Sequence, residues 1–159
     1  MYHWLDSNVF IQAANGPYSF TLAPTFWNWL LASTTAGKIR TPVSVHAELL
    51  QHKDQLSRWV KMHRSCGLFV NPSAEIQALV GRIGVVVQSK YESAQSKKFM
   101  SGADPWVIAH AIADRGVVVT HEVLGGDGCK EVKIPNICRD FSVKCLAPYP
   151  AFEALKLRL

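Results

Sequence analysis

Cysteine is scarce in this chain: Cys66, Cys129, Cys138 and Cys145 are the only four in 159 residues. That is too few for a disulfide-built scaffold. The gaps between them, 62, 8 and 6 residues, contain no CxxC pair, which also excludes a cysteine zinc knuckle. The pattern predicts reduced thiols, largely buried. Long apolar runs are missing too, and nothing approaches the roughly 18 residues of a membrane span. The opening Met1-Tyr2-His3-Trp4-Leu5-Asp6 has neither the basic start nor the apolar stretch of a signal peptide. These absences predict a soluble, cytoplasmic protein with no membrane partner. The six histidines form no HExxH motif, and no Ser-His-Asp arrangement stands out. Gly125-Gly126-Asp127-Gly128 fits neither GxGxxG nor a P-loop and reads as a turn. Repeats and low-complexity linkers are absent, so residues 1–159 read as a single domain.

Charge is sparse at 18%, against 48% hydrophobic residues, so the chain can build a core and is not disordered. Seventeen Lys and Arg outnumber twelve Asp and Glu, for a net charge of +5. That balance suits an anionic partner, and it equally suits plain solubility.

Val117-Val118-Val119 is the clearest strand signal, a continuous apolar run of the kind covered on both faces in a parallel sheet. Met1–Leu5, Lys38–Arg40 and Val143–Leu146 read as further short strands. Helices are expected over Val9–Ala14, Thr25–Ala36, Asp54–Cys66, Ala74–Lys98 and Gly102–Arg115, with a last turn or two over Ala151–Leu157. Thr41-Pro42 reads as an N-cap with proline at the first helical position, opening a helix to about His52. Strands separated by helices predict an α/β fold with a mainly parallel sheet. Ligands then bind beyond the carboxyl ends of the strands.

Four acids fall where that edge should lie. Asp6 ends the first strand, Glu48 sits in the helix after the second, Asp104 opens a helix, and Glu122 follows the valine strand. Each has an ordinary reading alone. Asp104 before Pro105 is an N-cap with proline at N1, Asp6-Ser7-Asn8 is a strand-to-helix turn, and Glu122 is a solvated loop acid. Glu48 borders the apolar stripe of Val45, Leu49 and Leu56, an expensive place for an isolated charge. Together they say more. Carboxylates about 5 Å apart repel by roughly 3 kcal/mol per pair at an effective dielectric of about 20. A divalent cation offsets that repulsion, and hard oxygen ligands select Mg²⁺ or Mn²⁺ over zinc. The chemistry so indicated is metal-assisted phosphodiester hydrolysis.

At this point the sequence resembles a PIN domain. The residues that carry the resemblance are Leu5-Asp6-Ser7-Asn8-Val9-Phe10-Ile11, Glu48, Ala103-Asp104-Pro105-Trp106-Val107-Ile108-Ala109-His110-Ala111 and Val118-Val119-Thr120-His121-Glu122. A bacterial PIN-like group is similar also in Phe26-Trp27-Asn28-Trp29-Leu30 and in the tail Lys133-Ile134-Pro135-Asn136-Ile137-Cys138-Arg139-Asp140-Phe141. The resemblance implies a PIN-like α/β/α sandwich and a Mg²⁺- or Mn²⁺-dependent ribonuclease, similar to the VapC-type toxins of type II toxin–antitoxin pairs. Asp6, Glu48, Asp104 and Glu122 would then be the catalytic, metal-binding acids. Glu122 stands where the wider family often carries Asp. Asn8 and Thr120 would orient carboxylates or water. The partners implied are RNA and a cognate antitoxin, with a homodimer as a possible assembly.

The basic residues Arg58, Lys61 and Arg64 share one helix face, Lys97 and Lys98 precede Asp104, and Lys130 and Lys133 flank the loop after Glu122. Each set can track a phosphate backbone or simply be a solvated face. Among the tryptophans, Trp29, Trp59 and Trp106 have core spacing, while Trp27 lies off the stripe and suits a partner interface. His46, His52 and His121 are candidates to line the cleft. The rival to a nuclease is a non-catalytic PIN-like module that binds RNA or protein. A phospho-accepting receiver domain is set aside, because Asp6 is the only acid in the first 47 residues.

Overall fold

The computed structural model describes residues 1–159. Five short strands, β1 (His3–Leu5), β2 (Ile39–Pro42), β3 (Phe69–Val70), β4 (Val117–Val119) and β5 (Lys144–Leu146), form one all-parallel sheet in the order β3-β2-β1-β4-β5. Nine helices connect and flank them: α1 (Ser7–Asn15), α2 (Pro24–Thr35), α3 (Val43–Leu49), α4 (Gln55–Met62), α5 (Ala74–Lys90), α6 (Ser93–Ser101), α7 (Asp104–Asp114), α8 (Ile134–Asp140) and α9 (Pro148–Ala154). The chain winds outward from β1 to β3, then returns to the other side of β1 for β4 and β5. That reversal makes β1/β4 the topological switch point, where an open parallel sheet offers a crevice.

The α/β expectation holds, and β4 is buried along its whole length, as three consecutive valines require. The core is continuous, with Phe10, Phe26, Leu30, Ile39, Ile83, Ile108 and Ile137 almost fully enclosed. Leu5, Trp4 and His3 pair with Val119, Val118 and Val117, so the ends of β1 and β4 are level. This register carries Asp6 and Thr120 to the same edge. Gly116 lies at the approach to β4. A β-carbon there would stand 2.8 Å from the Tyr2 carbonyl, 2.9 Å from the Trp4 ring and 2.5 Å from the Asp114 carboxylate. Gly116→Ala is therefore expected to cost about 1–3 kcal/mol through overpacking. The corresponding fall in Tm is about 2–4 °C per kcal/mol for a chain of this size, readable by calorimetry.

Several sequence expectations are corrected. Thr41-Pro42 belongs to β2, not to a helix start: the Thr41 hydroxyl donates to the Leu5 carbonyl at 2.7 Å, and Pro42 is the N-cap of α3. The helix expected over Ala74–Lys98 breaks at Tyr91-Glu92, both extended, into α5 and α6. Gly84 lies inside α5, where a β-carbon would crowd Met100 of α6 at 3.3 Å, so the glycine serves the packing of the two helices. β3, at two residues, and α8, hidden behind a Gly-rich loop, were not anticipated. Trp27 is buried, stacked on Phe20 at 4.0 Å with its indole N–H on the Tyr18 carbonyl at 2.8 Å, so it is core rather than interface. Conversely, Trp29 and Trp106 are only half-buried. All four cysteines are free, but only Cys138 is buried; Cys66 and Cys129 lie in loops and Cys145 on the sheet's edge strand. No helix is long and apolar enough to cross a membrane.

Candidate metal centre at the sheet edge

Asp6 leaves β1 as the N-cap of α1 and is only 2% exposed. Its Oδ1 accepts the Ser7 backbone N–H at 2.7 Å, and its Oδ2 accepts the Thr120 hydroxyl at 2.9 Å. Thr120, just past β4, is the hub of the polar layer. Its Oγ1 also accepts the Asn8 amide at 3.0 Å and the Glu122 backbone N–H at 3.1 Å. The other end of the Asn8 amide accepts the His121 backbone N–H at 3.1 Å. Asn8 and Thr120 thus form a hydrogen-bonded chain that runs from Asp6 to the start of the Glu122 loop. Thr120→Val would leave the Asn8 amide, the Glu122 N–H and Asp6 Oδ2 without this partner. An unpaired buried polar group costs about 1–3 kcal/mol. The variant should therefore unfold earlier, whatever the protein does.

Glu48 reaches the same edge from α3. Its Oε2 accepts the Ser7 hydroxyl at 2.6 Å and its Oε1 accepts the Ala103 backbone N–H at 2.8 Å. It is therefore one bond from Asp6 through Ser7, and next in line to Asp104 through Ala103. Ser7 and the Ala103 N–H were missed as site groups. Ser7 was visible only as part of a turn, and a backbone donor leaves no trace in a sequence.

Asp104 is not the cap that its sequence context suggested. It is the first residue within α7, preceded by Ala103 as N-cap in a helical conformation and followed by Pro105. No side-chain cap bond is made there, and no protein donor reaches its carboxylate. Burial and the charges of Asp6, Glu122 and Glu48 push its pKa up to about 8, with only Lys133 pulling the other way. Asp6 rises to about 6, again chiefly through burial. Hydrogen bonds from Thr120 and Ser7 hold it down, while Glu122 and Glu48 add repulsion. Asp6 and Asp104 thus each feel the charges of Glu48 and Glu122, although 116 residues of sequence separate the first of these acids from the last.

Glu122 contributes the last wall. Its Oε2 accepts the Ile134 N–H at 2.7 Å, at the start of α8. The loop between is pinned by Asn136, whose amide pairs with both backbone groups of Gly125 at 2.8 and 3.1 Å. Of the basic candidates, Arg58, Lys61, Lys97, Lys98 and Lys130 are all exposed, and none is hydrogen-bonded to the acids. Lys98 leans toward Glu131 at 3.9 Å, which Lys133 holds at 2.7 Å. Lys133 is the cation that bears on the acid cluster. His46 is buried against the Phe69 ring at 4.7 Å, so it is a packing residue rather than a cleft residue. His52 and His121 are exposed, with His121 beside the site.

No three His, Cys, Asp or Glu side chains stand close enough together to cage an ion directly. Glu48 and Glu122 are each turned onto backbone N–H groups. Mg²⁺, however, keeps several waters and is commonly held by one or two carboxylates. Asp104 without a donor, Asp6 beside it and an all-oxygen surround fit such a hydrated ion. They do not fit zinc.

Residues 3–159 match the family model described as Domain of unknown function (DUF4411). The chain belongs to the DUF4411 family. No curated protein matches the sequence of this DUF4411 chain. Among solved structures, VapBC2 from Rickettsia felis, bound to a DNA fragment from its promoter, aligns with a TM-score of 0.58. The identity is 18%, over 92% of this chain and 98% of that one. VapBC-1 from nontypeable Haemophilus influenzae aligns at a TM-score of 0.53 and 16% identity, with the same coverage. These likenesses establish the fold: this DUF4411 protein has a PIN-like, VapC-type α/β architecture.

Proposed function

We propose that the protein is a Mg²⁺- or Mn²⁺-dependent endoribonuclease, one domain over residues 1–159, acting in the cytoplasm as the toxin of a type II toxin–antitoxin pair. The observation that carries this reading is the convergence of Asp6, Glu48, Asp104 and Glu122 at the β1/β4 switch point, with Asp104 driven up to about 8 by burial first and by its acidic neighbours second. A structural role gives no reason to assemble four mutually repelling carboxylates, since Asp104 caps nothing.

Asp104 and Asp6 would hold the ion, with Glu48 and Glu122 close by to take its waters. A divalent ion bound there supplies an activated water and offsets charge on the phosphoryl oxygens. Thr120 and Asn8 keep Asp6 aimed, and Ser7 ties Asp6 to Glu48 so that the two carboxylates move together. Such supporting groups are commonly worth about 10–100-fold in metal affinity. Lys133 and the exposed basic residues leave the rim attractive to a polyanion. The alignment with two VapBC structures supports an antitoxin partner, and a homodimer is the further assembly we propose.

The test is cleavage of single-stranded RNA by the purified protein with Mg²⁺ or Mn²⁺. Cleavage that stops on adding EDTA supports the reading; intact RNA across varied sequences in both metals removes it. The engagement of Glu48 and Glu122 with backbone N–H groups favours a second reading, a non-catalytic module that holds RNA or protein. RNA binding without metal-dependent cleavage would establish that one instead.

A further inference from the structure

A cleft of about 150 Å³ opens between α1 and α9, lined among others by Val9, Gln12, Tyr18, Tyr149, Phe152 and His121, the residue before Glu122. Its place follows from the topology. β4 ends in Thr120-His121, neighbouring β5 leads into Pro148-Tyr149 of α9, and β1 leads into α1. The cleft is thus the continuation of the same sheet edge, one strand beyond the candidate metal centre. His121 is common to both, because its backbone N–H is held by Asn8 and it is among the residues that line the cleft.

No charged side chain lines this cleft. Its inner wall is rigid: Tyr18 is stacked on Phe26 at 4.6 Å and set edge-on to Phe152 at 6.2 Å. Tyr149 is different. It is 72% exposed and packs against no other ring, an aromatic face open to solvent at the mouth. Gln12 is likewise exposed, with its amide free to donate and accept, and His121 offers imidazole nitrogens. A second hollow shares Tyr18, Tyr149 and Phe152 and continues to Arg158, beside Glu153.

We infer that this cleft is a nucleobase subsite, in which Tyr149 stacks on an unpaired base next to the phosphate that lies over the acids. The inference rests on the nuclease reading for its substrate. Single-stranded RNA is recognised through bases splayed onto aromatic rings and read along their hydrogen-bonding edges. An apolar slot with one free ring, one free amide and one imidazole provides those contacts. A phosphodiester held at the acids places its neighbouring base within this adjoining slot, while Arg158 is available to the following phosphate.

The experiment uses short single-stranded RNAs carrying 2-aminopurine at successive positions, with Ca²⁺ in place of Mg²⁺ to satisfy the acids without fast hydrolysis. Affinity and fluorescence are read for the parent, Tyr149→Ala and Tyr149→Phe. Tyr149 is exposed, so neither variant threatens the fold, and a circular dichroism melt checks this. Stacking predicts quenching at one position and an affinity loss of about 5- to 100-fold for Tyr149→Ala. Tyr149→Phe, which keeps the ring, should bind as the parent does. Equal affinity of Tyr149→Ala and the parent overturns the subsite, as does an equal loss in both variants. Equal affinity would point to a protein segment as the occupant. Cleavage in Mg²⁺ is scored separately. Tyr149-dependent binding without cleavage removes the nuclease reading and keeps the subsite, whereas cleavage with unaltered Tyr149→Ala binding removes the subsite alone.

Discussion

Asp104→Asn is expected to lower metal-dependent RNA cleavage by about 10²–10³-fold, the range seen when one preorganised electrostatic group is removed from a reacting centre. Asp6→Asn should fall at least as far. The two variants differ in what else they disturb. Asp104 makes no cap bond and receives no hydrogen bond, so its amide replacement removes charge and little else. Asp6 caps α1 and accepts Thr120, and an asparagine oxygen can keep only part of that pattern. Asparagine is itself a good N-cap, so the helix start survives. Rates should be compared at saturating Mn²⁺ as well as at low Mn²⁺. A loss that persists at saturation marks a role in the reaction, and one that disappears marks weakened metal binding alone. Undiminished cleavage by both variants contradicts the assignment.

The second large effect is on stability without metal. Asp104 and Asp6 are both raised, to about 8 and about 6, from the ordinary aspartate value of 3.8. The folded state therefore binds protons more tightly than the unfolded chain does. The stability linked to these groups is complete below about pH 4 and is lost as pH rises through the folded values. Both acids contribute to the decline up to about pH 6, and Asp104 alone carries it on to about pH 8. The metal-free protein should show a Tm that falls across this window. Asp104→Asn should remove the upper part of the slope and melt higher than the parent at pH 8. Each kcal/mol of relief is worth about 2–4 °C. Saturating Mn²⁺ should flatten the parent's profile in the same way, because the ion offsets the charge that the proton otherwise removes. A variant that melts lower than the parent at pH 8 would mean that Asp104 is a structural residue after all.

The parts of this arrangement visible in the sequence were those carried by side-chain type and local context. Three consecutive valines placed β4, Asp6-Ser7-Asn8 placed the exit of β1, and Glu48 stood out because a charge beside Val45 and Leu49 is costly. The parts that were hidden depend on distant chain. β3 is two residues long and exists because Thr41 and Pro42 lie beside Phe69 and Val70, so no periodicity announces it. Thr41-Pro42 carried a helix-start signal, but parallel pairing on both sides of β2 made it strand. The same kind of signal gave Asp104 its ordinary reading as a cap, which the structure does not bear out. Asp-Pro has the composition of a cap, yet the helix begins at Asp104 itself with Ala103 as its N-cap, which leaves the carboxylate to feel the charges of the other acids. Ser7 and the Ala103 and Ile134 N–H groups, which hold Glu48 and Glu122, were legible only once the fold had brought them together. Trp27 looked peripheral by helical phase, and only its stacking on Phe20 and its edge-on contact with Trp59 explain its burial.

The most direct test of the central claim is titration of the metal-free protein with Mn²⁺ by calorimetry near pH 7, in buffers of different ionisation enthalpy. A site built on Asp104 and Asp6 predicts saturable binding that releases protons. Asp104, raised to about 8, is mostly protonated at that pH and must ionise to become a ligand. Asp6→Asn/Asp104→Asn should abolish both the binding and the proton release while remaining folded. Absence of saturable binding in the parent, or equal binding in the double variant, would contradict the account.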